Sequence, residues 1–542
     1  MSRRGFLLRS GGVALGALAA QSTVGRAVAA PIGTNCATYA SAVVVGSGYA
    51  GSVAALRLAQ AGVSTLVLER GLEWQITSAG NTFATVANPD GRGSWLNSQS
   101  PLTTATLPVY TGVLEAFYAN GVIGLAGAGL GGGSLVNSTV MLQPSQALFD
   151  ASFNGLVSYQ DMVNTWYPRA MSLIGASTIP DDILNSGYYA AARSFAAEAT
   201  AAGLPVEKLN LAVDWNVVRQ EMAGTATPSV ITGDSIWGVN SGAKKSVDRT
   251  IMAAARATGR VQVRTLARVV AIQPYYSGYQ VRYESLNTSG TVVGTYTVVT
   301  PTLVLAAGSL GTTRLLVAAK AKGQLPNLDA SVGTTWGTNG DNNSLRTGMP
   351  FNNPTQGGPS AFAVKSWTGT STPVTLLNFP WGQAPTDGSG ALGTLGVSVA
   401  APAGQFTYNA TTGAVDLNWP AASAGATQST TAVNGVLAQL NAVTPGSSTS
   451  FTSPGWTSHS LGGVPLGVAT DAGGQVKNYP HLFVVDGSLF PGGGLQATPP
   501  ALTITALADR LISASAGSVA ATAASSAAAG MAAAAATDTS LS

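Results

Sequence analysis

Short apolar runs separated by polar, glycine-rich stretches recur along this chain, and the first of them sets the pattern. Residues 42–45 are apolar throughout, residues 53–59 place apolar side chains at helical spacing, and residues 65–68 form a second apolar run. Runs that are apolar at every position are typical of parallel strands buried on both faces. The pattern therefore predicts a strand, a helix and a second strand in succession.

Three glycines lie where the first predicted strand turns into the helix. Gly46, Gly48 and Gly51 have the G-x-G-x-x-G spacing, and Glu69 ends the second strand about 20 residues further on. Such glycines let the backbone approach a pyrophosphate at the helix N-terminus, while the acid accepts hydrogen bonds from ribose hydroxyls. A glycine-rich loop without a ligand is the alternative. Because strand, loop, helix, strand and acid follow in the required order, the sequence predicts a dinucleotide site.

Later segments extend this unit and add a second one. Apolar runs at residues 261–270, 302–306 and 481–485 predict further strands of the same sheet, and residues 248–259 and 308–319 predict helices between them. The intervening blocks, about 145–245 and 325–455, are rich in Gly, Thr, Asn and Pro. Their short apolar runs, at 362–364, 394–399 and 406–417, predict antiparallel strands in an inserted domain.

The N-terminus predicts export. Arg3 and Arg4 precede a mildly apolar segment, residues 11–20, and residues 27–29 read A-x-A, so residues 1–29 resemble a twin-arginine signal peptide. A chance pair of arginines in a frayed terminus is the alternative. Residues 515–542 form a low-complexity Ala/Ser tail, for which we expect disorder or partial helix.

Charge and cysteine content exclude some classes of function. The formal net charge is +3, and it falls to −1 if residues 1–29 are removed, since they hold four arginines and no acid. Without a basic stripe, nucleic-acid binding is not expected. A single cysteine, Cys36, excludes an intrachain disulfide and a thiolate metal cage, and we predict no metal site.

Longer motifs spread over most of the chain carry a family resemblance. They include LGGGSLVN at residues 130–137, VGTTWGTNGDN at 332–342, SHSLGGVPLG at 458–467 and LFVVDGSLFPGGG at 482–494. With the N-terminal fingerprint, the chain resembles the glucose-methanol-choline (GMC) oxidoreductases, and within them the bacterial cholesterol oxidases that bind FAD non-covalently.

This resemblance implies an α/β architecture with two domains. A discontinuous, Rossmann-like FAD-binding domain would comprise residues 40–145, 246–325 and 457–514, and an inserted α+β substrate domain with an antiparallel sheet would comprise 146–245 and 326–456. The resemblance also assigns residues to non-covalent FAD. They are Gly46, Gly48, Tyr49 and Gly51 at the pyrophosphate, Glu69 at the ribose, Val269 at the adenine, and Gly132, Gly133, Asn137, Asp486 and Gly487 near the flavin.

Histidine is suited to receive the proton that leaves an alcohol as its carbon gives up hydride, because its pKa lies near neutral pH. The chain has two histidines, His459 and His481. His459 matches the position of the family's active-site histidine, and His481 matches a turn before a strand. We therefore expect His459 to be catalytic and His481 to be structural.

Two departures from the family pattern bear on activity. The glutamate that cholesterol oxidases use for steroid isomerisation aligns with Leu377, so oxidation without isomerisation is expected unless Asp387 or another aspartate substitutes. The family's asparagine before the last helix aligns with Pro499, and Thr498 and Gln496 are both candidate replacement donors.

The resemblance implies a hydrophobic, sterol-like alcohol as substrate, O2 or another electron acceptor, a secreted monomer, and transient contact with a membrane surface during sterol uptake. Two alternatives stay open: a related flavoenzyme for another alcohol, such as a sugar-derived or terpenoid one, and a flavin- or lipid-binding protein with weak catalysis. An NAD dehydrogenase shares the fingerprint but lacks the LGGGSLVN and DGSLFPGGG segments.

Overall fold

The structure is a computed structural model that describes residues 38–100, 102–349, 356–380, 390–399, 403–420 and 424–528. The predicted signal peptide, Cys36 and Asp387 lie outside the described residues. Within the described part of the chain, no helix has the length and apolar character needed to cross a membrane.

A five-stranded parallel sheet forms the centre of the first domain. Its strands come from four distant parts of the sequence. Four of them are buried at every residue, as is typical of strands covered by helices on both faces, whereas the edge strand Val261–Arg264 is only partly buried. In spatial order they are Leu482–Val484, Leu303–Leu305, Ala42–Val45, Thr65–Leu68 and Val261–Arg264. The helix Tyr49–Gln60 covers one face and packs against the long final helix, Ala501–Ala528. The predicted Rossmann-like fold is confirmed.

The apolar run at residues 261–270, interpreted as one strand, is two strands in different sheets. Val261–Arg264 ends the parallel sheet, and Ala267–Tyr275 begins a second sheet with Gly278–Leu286, Val292–Thr300 and Thr38–Tyr39. Leu266 between them has φ +53°, in the left-handed region, where the chain turns. Apolar content alone does not show such a turn, so the single-strand prediction was wrong.

The inserted segments contain a six-stranded antiparallel sheet, as predicted. Its order is Ser448–Ser453, Asn342–Met349, Gly390–Val397, Val374–Phe379, Phe362–Ser366 and Val206–Lys208. The helices Ala190–Ala201 and Ala424–Ala442 pack on it. These strands fall inside the ranges expected for the substrate domain, whose exact boundaries stay a prediction.

Smaller elements complete the two domains. Three short sheets pair Gln405–Tyr408 with Val415–Asn418, Ser177–Thr178 with Asn210–Leu211, and Leu114–Ala119 with Val122–Gly127 and Trp456–Thr457. The remaining helices are Gln146–Phe153, Tyr159–Asp161, Tyr167–Ile174, Asp181–Leu184, Trp215–Met222, Ile251–Ala257 and Gly308–Ala321, with a π-helical turn at Met162–Trp166.

The final helix extends into the Ala/Ser-rich tail. It reaches Ala528, and Val519 and Ala523 are buried in the core of the first domain. Closer to its start, the buried carboxylate of Asp509 accepts hydrogen bonds from Arg57 and Arg169, which ties this helix to its two helical neighbours. The first part of the tail is therefore helical, and residues 529–542 lie outside the described range.

Candidate active site

The glycine loop lies at the carboxyl edge of the parallel sheet, between the strand Ala42–Val45 and the following helix. A Cβ at Gly46 would lie 2.4 Å from the carbonyl oxygen of Ala306, and one at Gly51 would lie 2.0 Å from that of Gly46. A Cβ at Gly48, in contrast, would meet only the Cα of Gly132, at 3.8 Å. The first and third glycines are thus required by packing, whereas Gly48 borders open space.

The open space beside Gly48 is bounded by the second glycine segment. Gly132, with φ +53°, faces Gly48, and a Cβ on Gly133 would meet nothing within 4 Å. Gly48 is the N-cap of the helix Tyr49–Gln60, and no side chain caps it. Backbone N–H groups at a helix N-terminus attract anions. The two glycine segments therefore form a channel suited to a pyrophosphate.

Glu69 closes one end of this channel. Its carboxylate accepts hydrogen bonds from the Ser47 N–H at 3.1 Å, the Ser47 hydroxyl at 2.6 Å and the Gly71 N–H at 2.9 Å. These three bonds fix its orientation, and two carboxylate oxygens have capacity for a further donor. The carbonyl of Glu69 accepts the Ala267 N–H, which brings the strand of Val269 beside it. The residues assigned to ribose and adenine are therefore neighbours.

A buried lysine holds the segment around Asn137. The Nζ of Lys244 donates to the carbonyls of Leu135, Asn137 and Ser235 at 2.7 to 2.9 Å. Burial lowers the pKa of Lys244 to about 7, although Asp248 nearby opposes this change. The amide of Asn137 donates to the Tyr49 hydroxyl at 2.9 Å, so this segment is joined to the first helix.

Asp486 lies under the predicted flavin region and is almost completely buried. Its carboxylate accepts hydrogen bonds from the N–H of Gly308, the hydroxyl of Thr312, and the N–H and hydroxyl of Ser488. Burial raises its pKa, against the effect of these donors. Asp486 therefore anchors Gly487 to the N-terminus of the helix Gly308–Ala321.

His459 is paired with a carboxylate that the sequence analysis did not identify. Its Nδ1 lies 2.7 Å from Oδ1 of Asp341, whose side chain is 1% exposed, while the imidazole is 14% exposed. The other oxygen of Asp341 accepts the Thr457 hydroxyl and the Ser458 N–H. Asp341 thus fixes the ring, and the tautomer that bonds to it carries hydrogen on Nδ1 and leaves Nε2 as an acceptor.

The loop before the final helix is tied to the same segment. Asn339 donates from its amide to the Thr498 carbonyl at 2.8 Å and accepts the Leu495 N–H at 2.6 Å. Gln496 and Ala497 have φ +39° and +54°, a conformation that is strained for residues other than glycine. The Thr498 hydroxyl donates to the Gln496 carbonyl, whereas the Gln496 side chain is partly exposed.

Leu377 and His481 occupy different parts of the fold. Leu377 is in the six-stranded sheet, within an apolar cluster. His481 has φ +61° and precedes the strand Leu482–Val484. Among the described residues, no cluster of three or more His, Cys, Asp or Glu could hold a metal ion.

Comparison with known proteins identifies the family. The sequence profile of the GMC oxidoreductases matches residues 40–324, more than half of the chain. This chain belongs to the GMC oxidoreductase family. The chain is 26% identical over 311 residues to cholesterol oxidases of two Mycobacterium tuberculosis strains, CDC 1551 and H37Rv, over 55% of this chain and 51% of each relative. It therefore matches about half the length of these curated relatives.

Solved structures share the GMC fold at low sequence identity. Pyridoxine 4-oxidase from Mesorbium loti is 15% identical with a TM-score of 0.59, over 88% of this chain and 98% of its own. An FAD-dependent oxidoreductase from Chaetomium thermophilum is 14% identical with a TM-score of 0.59, over 87% and 98%. These likenesses concern the fold alone.

GMC oxidoreductases use FAD, and the residues of this chain fit that group. A Cβ at Gly48 would occupy part of the channel between the two glycine segments. The helix N-terminus at this channel has no side-chain cap, and hydrogen bonds hold Glu69 at one end of the channel. Gly46, Gly48, Tyr49 and Gly51 would hold the pyrophosphate, Glu69 the ribose and Val269 the adenine. Gly132, Gly133, Asn137 and Gly487 would face the flavin, and these assignments stay predictions.

One feature of the sequence distinguishes Asp341 from the other acidic residues. Asp341 is the one acidic residue between positions 330 and 386, and it lies inside the VGTTWGTNGDN segment that matches the family. A lone carboxylate in such a segment is a candidate partner for the histidine that is expected to be catalytic. Asn339 and Lys244, in contrast, donate hydrogen bonds to backbone carbonyls of distant segments. The spacing of residues in the sequence does not indicate such contacts.

Proposed function

We propose that this GMC oxidoreductase takes hydride from the CH–OH group of a hydrophobic, sterol-like alcohol, with O2 as electron acceptor and H2O2 as product. The observation that carries this proposal is the pairing of His459 with buried Asp341, tied through Asn339 to the loop before the final helix. The partial match to cholesterol oxidases supports the choice of alcohol.

The described residues account for the movement of the proton. Oxidation of an alcohol to a ketone removes a proton from oxygen and a hydride from carbon. FAD, when bound, would supply the acceptor for that hydride, and O2 would take up the two electrons and two protons as H2O2. His459 accepts the hydroxyl proton at Nε2, because its Nδ1 hydrogen is held by Asp341. The Asp341 carboxylate then stabilises the imidazolium that forms.

FAD is proposed to bind non-covalently. Its support is that His459 is oriented by Asp341 and His481 lies beside the parallel sheet, so neither histidine is assigned to attach the flavin. Denaturation of the purified protein in acid tests this proposal. Release of all FAD into the supernatant is expected, and flavin that remains with the precipitate would contradict it.

The enzyme is proposed to lack steroid isomerase activity. Leu377 offers no acid or base in the six-stranded sheet, and its neighbours in the cluster are apolar. Product analysis with a Δ5-3β-hydroxysteroid is expected to give the unconjugated ketone. Enzyme-dependent formation of the conjugated Δ4-3-ketone would show that another group, such as Asp387, moves the proton.

A second candidate is a GMC flavoenzyme for a different alcohol. Leu377 and Pro499 replace two residues that steroid-oxidising relatives are expected to carry, which favours another substrate. A flavin- or lipid-binding protein with weak catalysis would show the same departures. Product formation separates the two enzyme functions from the binding function.

The deciding experiment follows the visible absorbance of the bound flavin during anaerobic addition of cholesterol, and then of smaller alcohols. Bleaching by cholesterol supports the sterol-like substrate, and bleaching only by other alcohols supports the second candidate. No bleaching with any alcohol would contradict an alcohol oxidoreductase. Release of H2O2 after air is admitted separates an oxidase from a dehydrogenase that uses another acceptor.

Secretion through the twin-arginine route and a monomeric state are proposed from the sequence. Arg3, Arg4 and the A-x-A site at residues 27–29 support export. Fractionation of the native host should place the protein outside the cytoplasm, with an N-terminus shortened by about 29 residues. Replacement of Arg3 and Arg4 by lysine should retain it inside. Light scattering tests the monomer, and vesicle flotation tests contact with membranes.

A further inference from the structure

A cleft of about 390 Å³ lies beside the edge of the six-stranded sheet. Small-molecule sites in proteins have volumes of roughly 300–1,000 Å³. Its apolar walls are formed by Met141, Leu142, Met171, Trp367 and Leu502, which come from both domains. We call it the edge cleft. It is large enough for an organic ligand, and nothing assigned above to FAD or to proton transfer lies in its walls.

Two walls of the edge cleft are close in sequence to segments of the candidate active site. Met141 and Leu142 follow Asn137 in sequence, and Leu502 lies just after the loop that Asn339 holds. The third wall is linked to that loop by hydrogen bonds: the Trp367 indole donates to the Thr375 hydroxyl at 2.9 Å, and this hydroxyl donates to the Ala497 carbonyl. A ligand in the edge cleft would therefore lie next to the residues that approach the flavin.

One end of the edge cleft is charged. Glu207 and Lys365 line it and form an ion pair between the neighbouring strands Val206–Lys208 and Phe362–Ser366. The Lys365 ammonium also lies 4.6 Å from the centre of the Trp367 ring. The Glu207 carboxylate accepts hydrogen bonds and the ammonium donates them. A ligand group at this end meets both charges.

This arrangement selects among polar groups. A ligand carboxylate would be attracted by Lys365 but repelled by Glu207, and a ligand ammonium the reverse, so the neutral pair favours neither charge. A hydroxyl can donate to the carboxylate and accept from the ammonium at the same time, and it carries no charge of its own. The other walls are apolar at Met141, Leu142, Met171, Trp367 and Leu502 and polar at Gln143, Ser145 and Asn210, so they suit a mainly apolar body.

We propose that the edge cleft holds the part of the substrate remote from the oxidised carbon, and that it favours apolar alcohols with a second hydroxyl at that far end. The inference rests on the proposed function and narrows its substrate class to apolar diols. Glu207 and Lys365 act as specificity-determining residues that touch the second hydroxyl, while His459 serves the first.

The test compares two alcohols that share one apolar body and differ only in the far hydroxyl. For each alcohol, the concentration that gives half of the maximal rate of anaerobic flavin bleaching is measured with the FAD-loaded enzyme. The diol is expected to bind about tenfold more tightly, the effect of a charge-assisted hydrogen bond. Lys365→Met and Glu207→Gln are each expected to remove that preference.

Lys208→Met is the matched control. Lys208 is on the same edge strand, but its Nζ pairs with Asp181 and does not line the edge cleft. This variant should keep the preference for the diol. Equal affinity for the two alcohols in the unaltered enzyme would overturn the inference. An equal loss of the preference for the diol in Lys208→Met and Lys365→Met would also overturn it. Loss of FAD from Lys365→Met would assign the cleft to the cofactor and also overturn it.

The outcomes for the cleft and for the proposed function are distinguishable. Binding of the diol is read independently by quenching of tryptophan fluorescence, with Trp367→Phe as the reference that should lose the response. Quenching without bleaching by any alcohol would contradict the proposed function and leave the cleft supported. Bleaching without Trp367-dependent quenching would support the function and contradict the cleft.

Discussion

The two ends of the candidate active site are built in different ways. At the nucleotide end, the Gly46–Gly51 loop and Glu69 come from one continuous segment, and the backbone itself forms the binding surface. At the catalytic end, His459 depends on Asp341, 118 residues away in sequence. The nucleotide end can therefore be predicted from local sequence, whereas the catalytic end forms only when distant segments pack together.

The sharpest way to break the nucleotide end is Gly48→Ala. The added methyl group would meet only Gly132, at an ordinary contact distance of 3.8 Å, so the fold should survive while the channel narrows. We expect loss of bound FAD and hence of nearly all activity. The FAD-to-protein ratio from absorbance and the melting temperature of the apoprotein measure these two effects separately.

Two variants control for this prediction. Gly51→Ala should lower the melting temperature as well, because its Cβ would lie 2.0 Å from the Gly46 carbonyl oxygen. Gly187→Ala, where a Cβ meets nothing within 4 Å, should change neither property. Full FAD content in Gly48→Ala would show that the pyrophosphate does not pass this glycine.

His459→Ala breaks the catalytic end and should leave the nucleotide end intact. Loss of the proton acceptor is expected to lower kcat by roughly 10²–10⁴. FAD content should be unchanged, since the residues that would hold the pyrophosphate and ribose lie elsewhere. Stopped-flow reduction of the flavin measures the effect on the chemical step.

His481→Gln is the comparison for this variant. His481 precedes a strand of the parallel sheet and has no assigned role in proton transfer. It should keep kcat within a fewfold of the unaltered enzyme. An equal decrease in both variants would mean that His459 is not the specific proton acceptor.

The difference between the two ends also explains what the sequence could predict. Gly46, Gly48, Gly51 and Glu69 have fixed spacing because the strand-turn-helix geometry imposes it, so the sheet and the nucleotide end were predictable. The pairing of Asp341 with His459 depends on two loops whose positions are set by tertiary contacts. The turn at Leu266 was missed for a similar reason, since an apolar residue at positive φ follows from packing and not from local preference.

Asp341→Asn sharpens the comparison within the catalytic end. The amide preserves the shape but removes the charge that stabilises the imidazolium and fixes the tautomer. We expect kcat to fall by about 10–100-fold, which is typical when the group that orients a histidine is changed. The FAD content should stay unchanged, because Asp341 is not among the residues that would hold the cofactor.

A structural role alone for Asp341 would instead lower the melting temperature or the FAD content together with kcat. Asp416→Asn provides a matched acidic control, since Asp416 lies in a short hairpin of the substrate domain and contacts Asn409. Its kcat, melting temperature and FAD content should match the unaltered enzyme. A melting temperature or FAD content that falls together with kcat in Asp341→Asn would assign this residue to folding and not to catalysis.

The smallest predicted effect concerns stability near the nucleotide end. Glu115 is buried, which raises its pKa, but Arg70 and Arg314 overcome this and lower the pKa of Glu115 from 4.5 to about 2. Between pH 2 and pH 4.5 the folded protein has released the Glu115 proton that the unfolded chain still holds. The stabilisation of the folded state that results is complete above pH 4.5 and amounts to about 3 kcal/mol. The contribution is lost as the pH falls from 4.5 towards 2. Glu115→Gln should lower the melting temperature at pH 7 and nearly match the unaltered protein near pH 2, while Glu73→Gln, in a more exposed pair with Arg256, should change it little at either pH.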